Sequence, residues 1–187
     1  MPRIKQNDKR DRLVEAADQL IYEKTFHTTT LADIAKLADV PLGNVYYYFK
    51  TKEAIMEAVL SKRAHEWQSL FESWEELEVR ERLSAFINHT VEKSEQLARF
   101  GCTMGSLCQE LSKQGGAVAQ GATKLMSDVL AWTENQFNQM GKSEESKKLA
   151  EHFLAGIQGM SLLTLTFKDP SYIERQSKTL NHWLSSL

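Results

Sequence analysis

The stretch Thr30-Leu31-Ala32-Asp33-Ile34-Ala35-Lys36-Leu37-Ala38-Asp39-Val40-Pro41-Leu42-Gly43-Asn44-Val45-Tyr46-Tyr47-Tyr48-Phe49-Lys50-Thr51-Lys52-Glu53 decides the fold. Leu31, Ile34, Ala35 and Ala38 repeat at the helical period, so a helix spans 31–38. Thr30, with Asp33 three positions on, resembles a capping box with a shortened carboxylate. Asp39-Val40-Pro41 ends that helix, because Pro41 lacks an N–H and disfavours helical geometry at Val40. Proline suits a first turn, so Pro41 opens the next helix, with Leu42, Val45 and Phe49 at the inward spacing. Two short helices around a turn of three or four residues make a helix-turn-helix.

Upstream, Leu13, Ala16, Ala17, Leu20 and Ile21 line one face of a helix over about residues 8–24. Downstream the helices lengthen. One starts at Thr51-Lys52-Glu53 and carries Ile55, Val59, Trp67, Leu70, Phe71 and Trp74, and another runs through Leu83, Phe86, Ile87, Thr90, Val91 and Leu97. Gly101 and Gly105 interrupt the pattern around Cys102, and Gly115-Gly116 interrupts it again. Further helices are expected through Val118–Phe137, Glu144–Phe167 and Ser171–Leu187. The fold class is all-α, with a helix-turn-helix domain over 1–52 and a helical body over 53–187.

Composition agrees with that class. Among 187 residues there are 3 Pro and 9 Gly, too few for the turns that many short strands require. No apolar run approaches the roughly 20 residues of a membrane span, and the charged N-terminus lacks a secretory core, so a cytoplasmic location and no membrane partner are expected. Two cysteines, Cys102 and Cys108, do not make a disulfide framework.

The net charge is −2, which is not the basic signature of many nucleic-acid-binding domains. It is unevenly distributed. Residues 1–52 hold 9 Lys and Arg against 7 Asp and Glu, and the remainder carries the acidic excess. Arg3, Lys5, Lys9, Arg10 and Arg12 concentrate positive charge at one end. Any polyanion belongs there, although a solvated tail has the same composition.

With Ile34-Ala35, Val40, Gly43, Tyr46, Phe49 and Lys52-Glu53 in place, residues 8–55 closely resemble the DNA-binding signature of the TetR family of transcriptional regulators. Two positions depart from it. Asp39 stands where glycine is usual, and aspartate tolerates left-handed geometry better than most residues. Pro41 replaces a serine, losing a side-chain cap and keeping a helix opening.

The chemistry of the second short helix fits major-groove reading. Gly43 allows close approach, Asn44 can donate and accept as adenine requires, and Leu42 can meet a thymine methyl. Tyr46 and Tyr47 offer phenolic hydrogen bonds, whereas Tyr48 divides evenly between packing and surface. Thr30 and Lys52, each at a helix start, are candidate phosphate anchors, and Pro41 sets the helix entry.

The resemblance implies a dimeric helical body whose pocket binds a small effector. Candidate lining residues are Trp67, Phe71, Phe86, His89, Met126 and Trp132, together with Met104, Leu107, Leu111 and Phe153, any of which can equally be plain core. The stretch Gly101-Cys102-Thr103-Met104-Gly105, with Cys108-Gln109-Glu110-Leu111, resembles that of a branch containing regulators that respond to electrophiles or oxidants. Cys102 is then either a reactive thiol before a helix start or an inert core cysteine. Phe153, Ile157, Met160 and Thr164 share one stripe, and Tyr172, Leu180 and Trp183 offer a companion surface. Dimerisation is favoured over a merely central helix.

An enzyme is not expected. Gly116 to Lys124 mimics the spacing of a phosphate loop, but Ala122 occupies the lysine position. The five histidines include no zinc-ligand pair at helical spacing, so no metal or cofactor is expected. The expected function is a homodimeric repressor, released from a near-palindromic double-stranded DNA operator by a small molecule or electrophile. A constitutive DNA-binding dimer without an inducer, and an interaction protein that has lost DNA binding, are the alternatives.

Overall fold

A computed structural model of the chain describes residues 6–113 and 115–187. Arg3 and Lys5 of the basic arm lie outside the described residues. The described chain is built from α1 (Gln6–Glu23), α2 (Leu31–Leu37), α3 (Leu42–Tyr48), α4 (Lys52–Ser73), α5 (Val79–Glu92), α6 (Ser94–Phe100), α7 (Gly105–Ser112), α8 (Gly116–Gln139), α9 (Ser146–Phe167) and α10 (Ser171–Ser185). No described helix is long and apolar enough to cross a membrane.

Where one helix was expected through Leu83–Leu97, there are two. Lys93 closes α5 and opens α6 with φ −98° and ψ 9°, outside helical geometry. The helical period of the apolar residues continues across the break, so periodicity alone does not reveal it.

Two compact units are present, and they do not coincide with a cut at residue 52. The first takes in the chain up to His65 and Leu107–Thr123, and the second takes in Glu66–Ser106 and Lys124–Leu187. In the first, the apolar faces of α1 and α2 meet: Leu13, Ala17 and Ile34 are essentially inaccessible to solvent. Each such leucine or isoleucine contributes about 2 kcal/mol by leaving water. The carboxylate of Asp18 on α1 receives Arg63 at 2.6 Å and Lys62 at 2.7 Å from α4, pinning those two helices together.

In the second unit α9 lies between α6 and α10, and α10 also packs on α5. Phe86, Phe137 and Phe153 are buried here, with Phe153 edge-on to both of the others.

Candidate nucleic-acid interface

α3 is the second helix of the helix-turn-helix, held by only one of its sides. Val45 is inaccessible and Phe49, its C-cap, is 4% exposed, whereas Leu42, Tyr46 and Tyr47 stand 42%, 49% and 65% exposed. Gly43 and Asn44 are also exposed. Leu42 therefore leaves the inward set given by its spacing: in the first turn of so short a helix it clears the α2 surface. Tyr48 is half-buried and takes the edge of Tyr47 at 5.0 Å. Leu42, Gly43, Asn44, Tyr46 and Tyr47 form one continuous outward face, and Pro41 precedes it as the N-cap with no side-chain capping bond.

The turn before α3 has the expected geometry. Asp39 adopts φ +51°, in the left-handed region. Arg12 donates to the backbone oxygens of Ala38 and Asp39, satisfying carbonyls at the end of α2. Arg10 lies over the ring of Phe49 at 5.2 Å. These two arginines of the basic segment thus serve the head's own architecture.

The two expected phosphate anchors are also engaged internally. Thr30 Oγ1 accepts the Asp33 N–H at 3.1 Å and donates to the Asp33 carboxylate at 2.6 Å, while that carboxylate accepts the Thr30 N–H at 3.1 Å. The box is complete, and the Thr30 hydrogen bonds hold the Asp33 carboxyl below its ordinary pKa. The hydroxyl proton is committed to Asp33. Lys52 Nζ donates to the carbonyls of Phe26, His27 and Thr29 at 2.8, 3.1 and 3.1 Å, and sits 4.4 Å from the Phe26 ring centre. An ammonium has three N–H donors, so all three are directed into the α1–α2 loop and Lys52 clamps that loop in place of a phosphate.

The candidate effector residues are only partly brought together. Trp67, Phe71, Phe86, His89 and Trp132 form a single aromatic cluster in the second unit, joined by Trp74, which the sequence reading had not selected. Burial, followed by the nearby Lys93, lowers the His89 pKa against an opposing pull from Glu92, favouring the neutral imidazole. Met126 is half-buried.

Cys102 has different neighbours. Its sulfur receives the Gly105 N–H at 3.3 Å and the Gln158 Nε2 at 3.7 Å. Gly101 adopts φ +84°, and a Cβ there would strike Ser106 and Leu165. Met104 is buried in the same unit, whereas Leu107, Cys108 and Leu111 are buried in the first unit, where the Cys108 thiol donates to the Ala122 carbonyl at 3.2 Å.

Of the residues expected at a dimer contact, Phe153, Ile157, Met160, Thr164 and Leu180 are all buried within the single chain. Their stripe faces the chain's own interior, where Phe153 meets Phe86 of α5 and Phe137 of α8. The large apolar side chains left exposed on α9 are instead Leu162, Leu163 and Phe167, and Ala155 and Gly159 are also exposed. Tyr172 is half-buried and stacks on Phe167 at 5.1 Å, and Trp183 is half-buried against Phe137 and His152.

A three-helix unit whose second and third helices form a helix-turn-helix, in an otherwise all-helical described chain, has the architecture of helix-turn-helix DNA-binding domains. Residues 13–59 match the family model for bacterial regulatory proteins of the tetR family. Residues 13–59 thus form a TetR-family domain. It is 31% identical over 71 residues to the transcriptional regulator QacR of Staphylococcus aureus, a match covering 38% of this chain and 36% of that protein. It is 31% identical over 112 residues to the transcriptional repressor NemR of Escherichia coli, covering 58% of this chain and 55% of NemR. The chain thus spans between about a third and just over half of the length of these curated relatives. A TetR transcriptional regulator from Legionella pneumophila has the same fold, with a TM-score of 0.84 at 18% identity over 97% of this chain and 98% of that one.

Proposed function

We propose that this chain is a DNA-binding repressor that acts as a homodimer in the cytoplasm and is released from a near-palindromic operator by a small effector. The observation that carries the reading is the exposed face of α3. Two tyrosines and a leucine stand in solvent beside Gly43, around whose absent Cβ there is open space, while Val45 and Phe49 fix the helix from behind. Exposed aromatic side chains next to a gap are poor surface design for a lone domain and suit insertion into a major groove.

Leu162, Leu163 and Phe167 supply the apolar strip for a second copy, so that two heads address two half-sites. The aromatic cluster and its neutral His89 favour a flat, weakly polar effector. Cys102, approached by two N–H donors, suits an electrophile whose adduct would disturb the turn between Gly101 and Gly105.

Capture of genomic fragments by the purified protein, followed by footprinting, tests the reading. The expected result is enrichment of sites with two-fold symmetry and release by an aromatic compound or by an electrophile such as N-ethylmaleimide. Absence of any enrichment at low salt, where phosphate contacts are strongest, defeats DNA binding. Enrichment without release by any compound leaves the constitutive dimer.

A further inference from the structure

The loop between α1 and α2 is gripped by two opposite charges from distant parts of the chain, all within the first compact unit. Lys52 holds its carbonyls. The carboxylate of Glu110, on α7, accepts the Phe26 N–H at 3.0 Å and the His27 N–H at 2.8 Å, across sequence separations of 84 and 83 residues. The Phe26 carbonyl and the His27 N–H belong to the same peptide group. That group therefore has an ammonium 2.8 Å from its oxygen and a carboxylate 2.8 Å from its nitrogen.

We propose that Glu110 and Lys52 act as one electrostatic clamp through the Phe26–His27 peptide group, which makes Glu110 the positioning residue through which α7 sets the helix-turn-helix. The inference rests on the DNA-binding reading above. Hydrogen bonds to ionised partners are stronger than neutral ones, and bonds at the two ends of one peptide polarise each other, so loss of either charge weakens the other's hold. Little slack lies between the clamp and the reading head. Thr30 caps α2 three residues after His27, and α2 packs on α3. The other end of α7 begins three residues after Cys102, so the helix carrying Glu110 starts beside the turn on which an electrophile would act.

The test uses the full chain, with a DNA fragment enriched by the wild-type protein as probe. Amide hydrogen exchange is read at Phe26 and His27, with Val45 as the internal control. Glu110→Ala should accelerate exchange at both loop amides by about tenfold or more, leave Val45 unchanged and weaken probe binding by about tenfold, the loss of one charge-assisted contact. Glu110→Gln, which keeps one acceptor oxygen, should protect one of the two amides. The double variant Lys52→Met, Glu110→Ala should bind the probe no more weakly than Lys52→Met alone, because the two charges act as a unit.

Unchanged exchange at Phe26 and His27 overturns the clamp. So does faster exchange with probe affinity kept within about twofold, or a double variant in which the two losses multiply. If Glu110→Ala fails to fold by circular dichroism, the Glu110→Gln readings decide. A wild-type protein that retains no DNA defeats the regulator reading, and the exchange rates of the single and double variants in the free protein still decide whether the clamp exists.

Discussion

Phe71 and Trp132 stack face to face, with ring centres 4.1 Å apart and planes 7° from parallel. One comes from α4 and the other from α8, and Trp67, Trp74, Phe86 and His89 close around them. Both members of the stack are half-buried, so the cluster has packed rings and accessible edges at once. Phe71→Ala should lower stability by about 2 kcal/mol in urea unfolding, combining lost burial with the lost stack. It should also remove any quenching of tryptophan fluorescence by an aromatic effector. Quenching that survives the substitution places the effector elsewhere.

Thr164 is buried on α9, and its hydroxyl is the only buried side-chain oxygen or nitrogen among the described residues that lacks a hydrogen-bond partner. An isolated hydroxyl loses its water on folding and gains nothing in return. Thr164→Val keeps the shape and should raise stability by about 1 kcal/mol, read from chemical unfolding. A loss of similar size would mean that the hydroxyl has a partner in solution, such as a buried water.

His89 gives the body a pH dependence of defined sign. Its folded pKa is depressed below 6.5, chiefly by burial, with Lys93 adding to the effect and Glu92 opposing it. As pH falls through 6.5 the unfolded chain takes up a proton that the folded chain resists, so this contribution to stability is complete above 6.5 and declines below it. The thermal midpoint should fall between about pH 7.5 and about pH 5.5, and His89→Gln should shrink that fall. An identical profile in the variant assigns the acid sensitivity to other groups.

Asn44 and Tyr47 should separate reading from holding. Asn44→Ala should change base preference at one position of each half-site by about 1–3 kcal/mol in a competition assay with single-base variants of the enriched fragment. Tyr47→Phe, which removes only the phenolic O–H, should weaken binding to all those variants alike if the hydroxyl meets a phosphate. A Tyr47→Phe variant with altered preference would transfer base reading to that hydroxyl.

The helix-turn-helix was legible because its determinants are local. Thr30 and Asp33 are three residues apart, Pro41 breaks and restarts the chain by its own ring, and Asp39 adopts left-handed geometry as its side-chain type allows. Lys52 stands at the helix start that the sequence predicts, yet helix-end reasoning sends its charge outward, while the carbonyls of residues 26, 27 and 29 draw it inward. Glu110 lies in the stretch after Cys108 that shares the family resemblance, but nothing local gives its partner, since a glutamate on a helix of 8 residues reads as a solvated charge until folding spans a gap of more than 80 positions. On α9 the periodicity found a real apolar stripe at Phe153, Ile157 and Met160, but periodicity does not say whether such a stripe meets the chain's own core or another surface.

Gly43 has no steric neighbour within 4 Å of where a Cβ would stand, and its backbone has no need of glycine's extra freedom. Within the folded chain alone, alanine would fit there and would favour the helix by about 1 kcal/mol. Position 43 is therefore a gauge of the groove and not of the fold: Gly43→Ala should yield a protein that melts higher yet grips its target less well, so that the size of the missing methyl group is measured by the DNA.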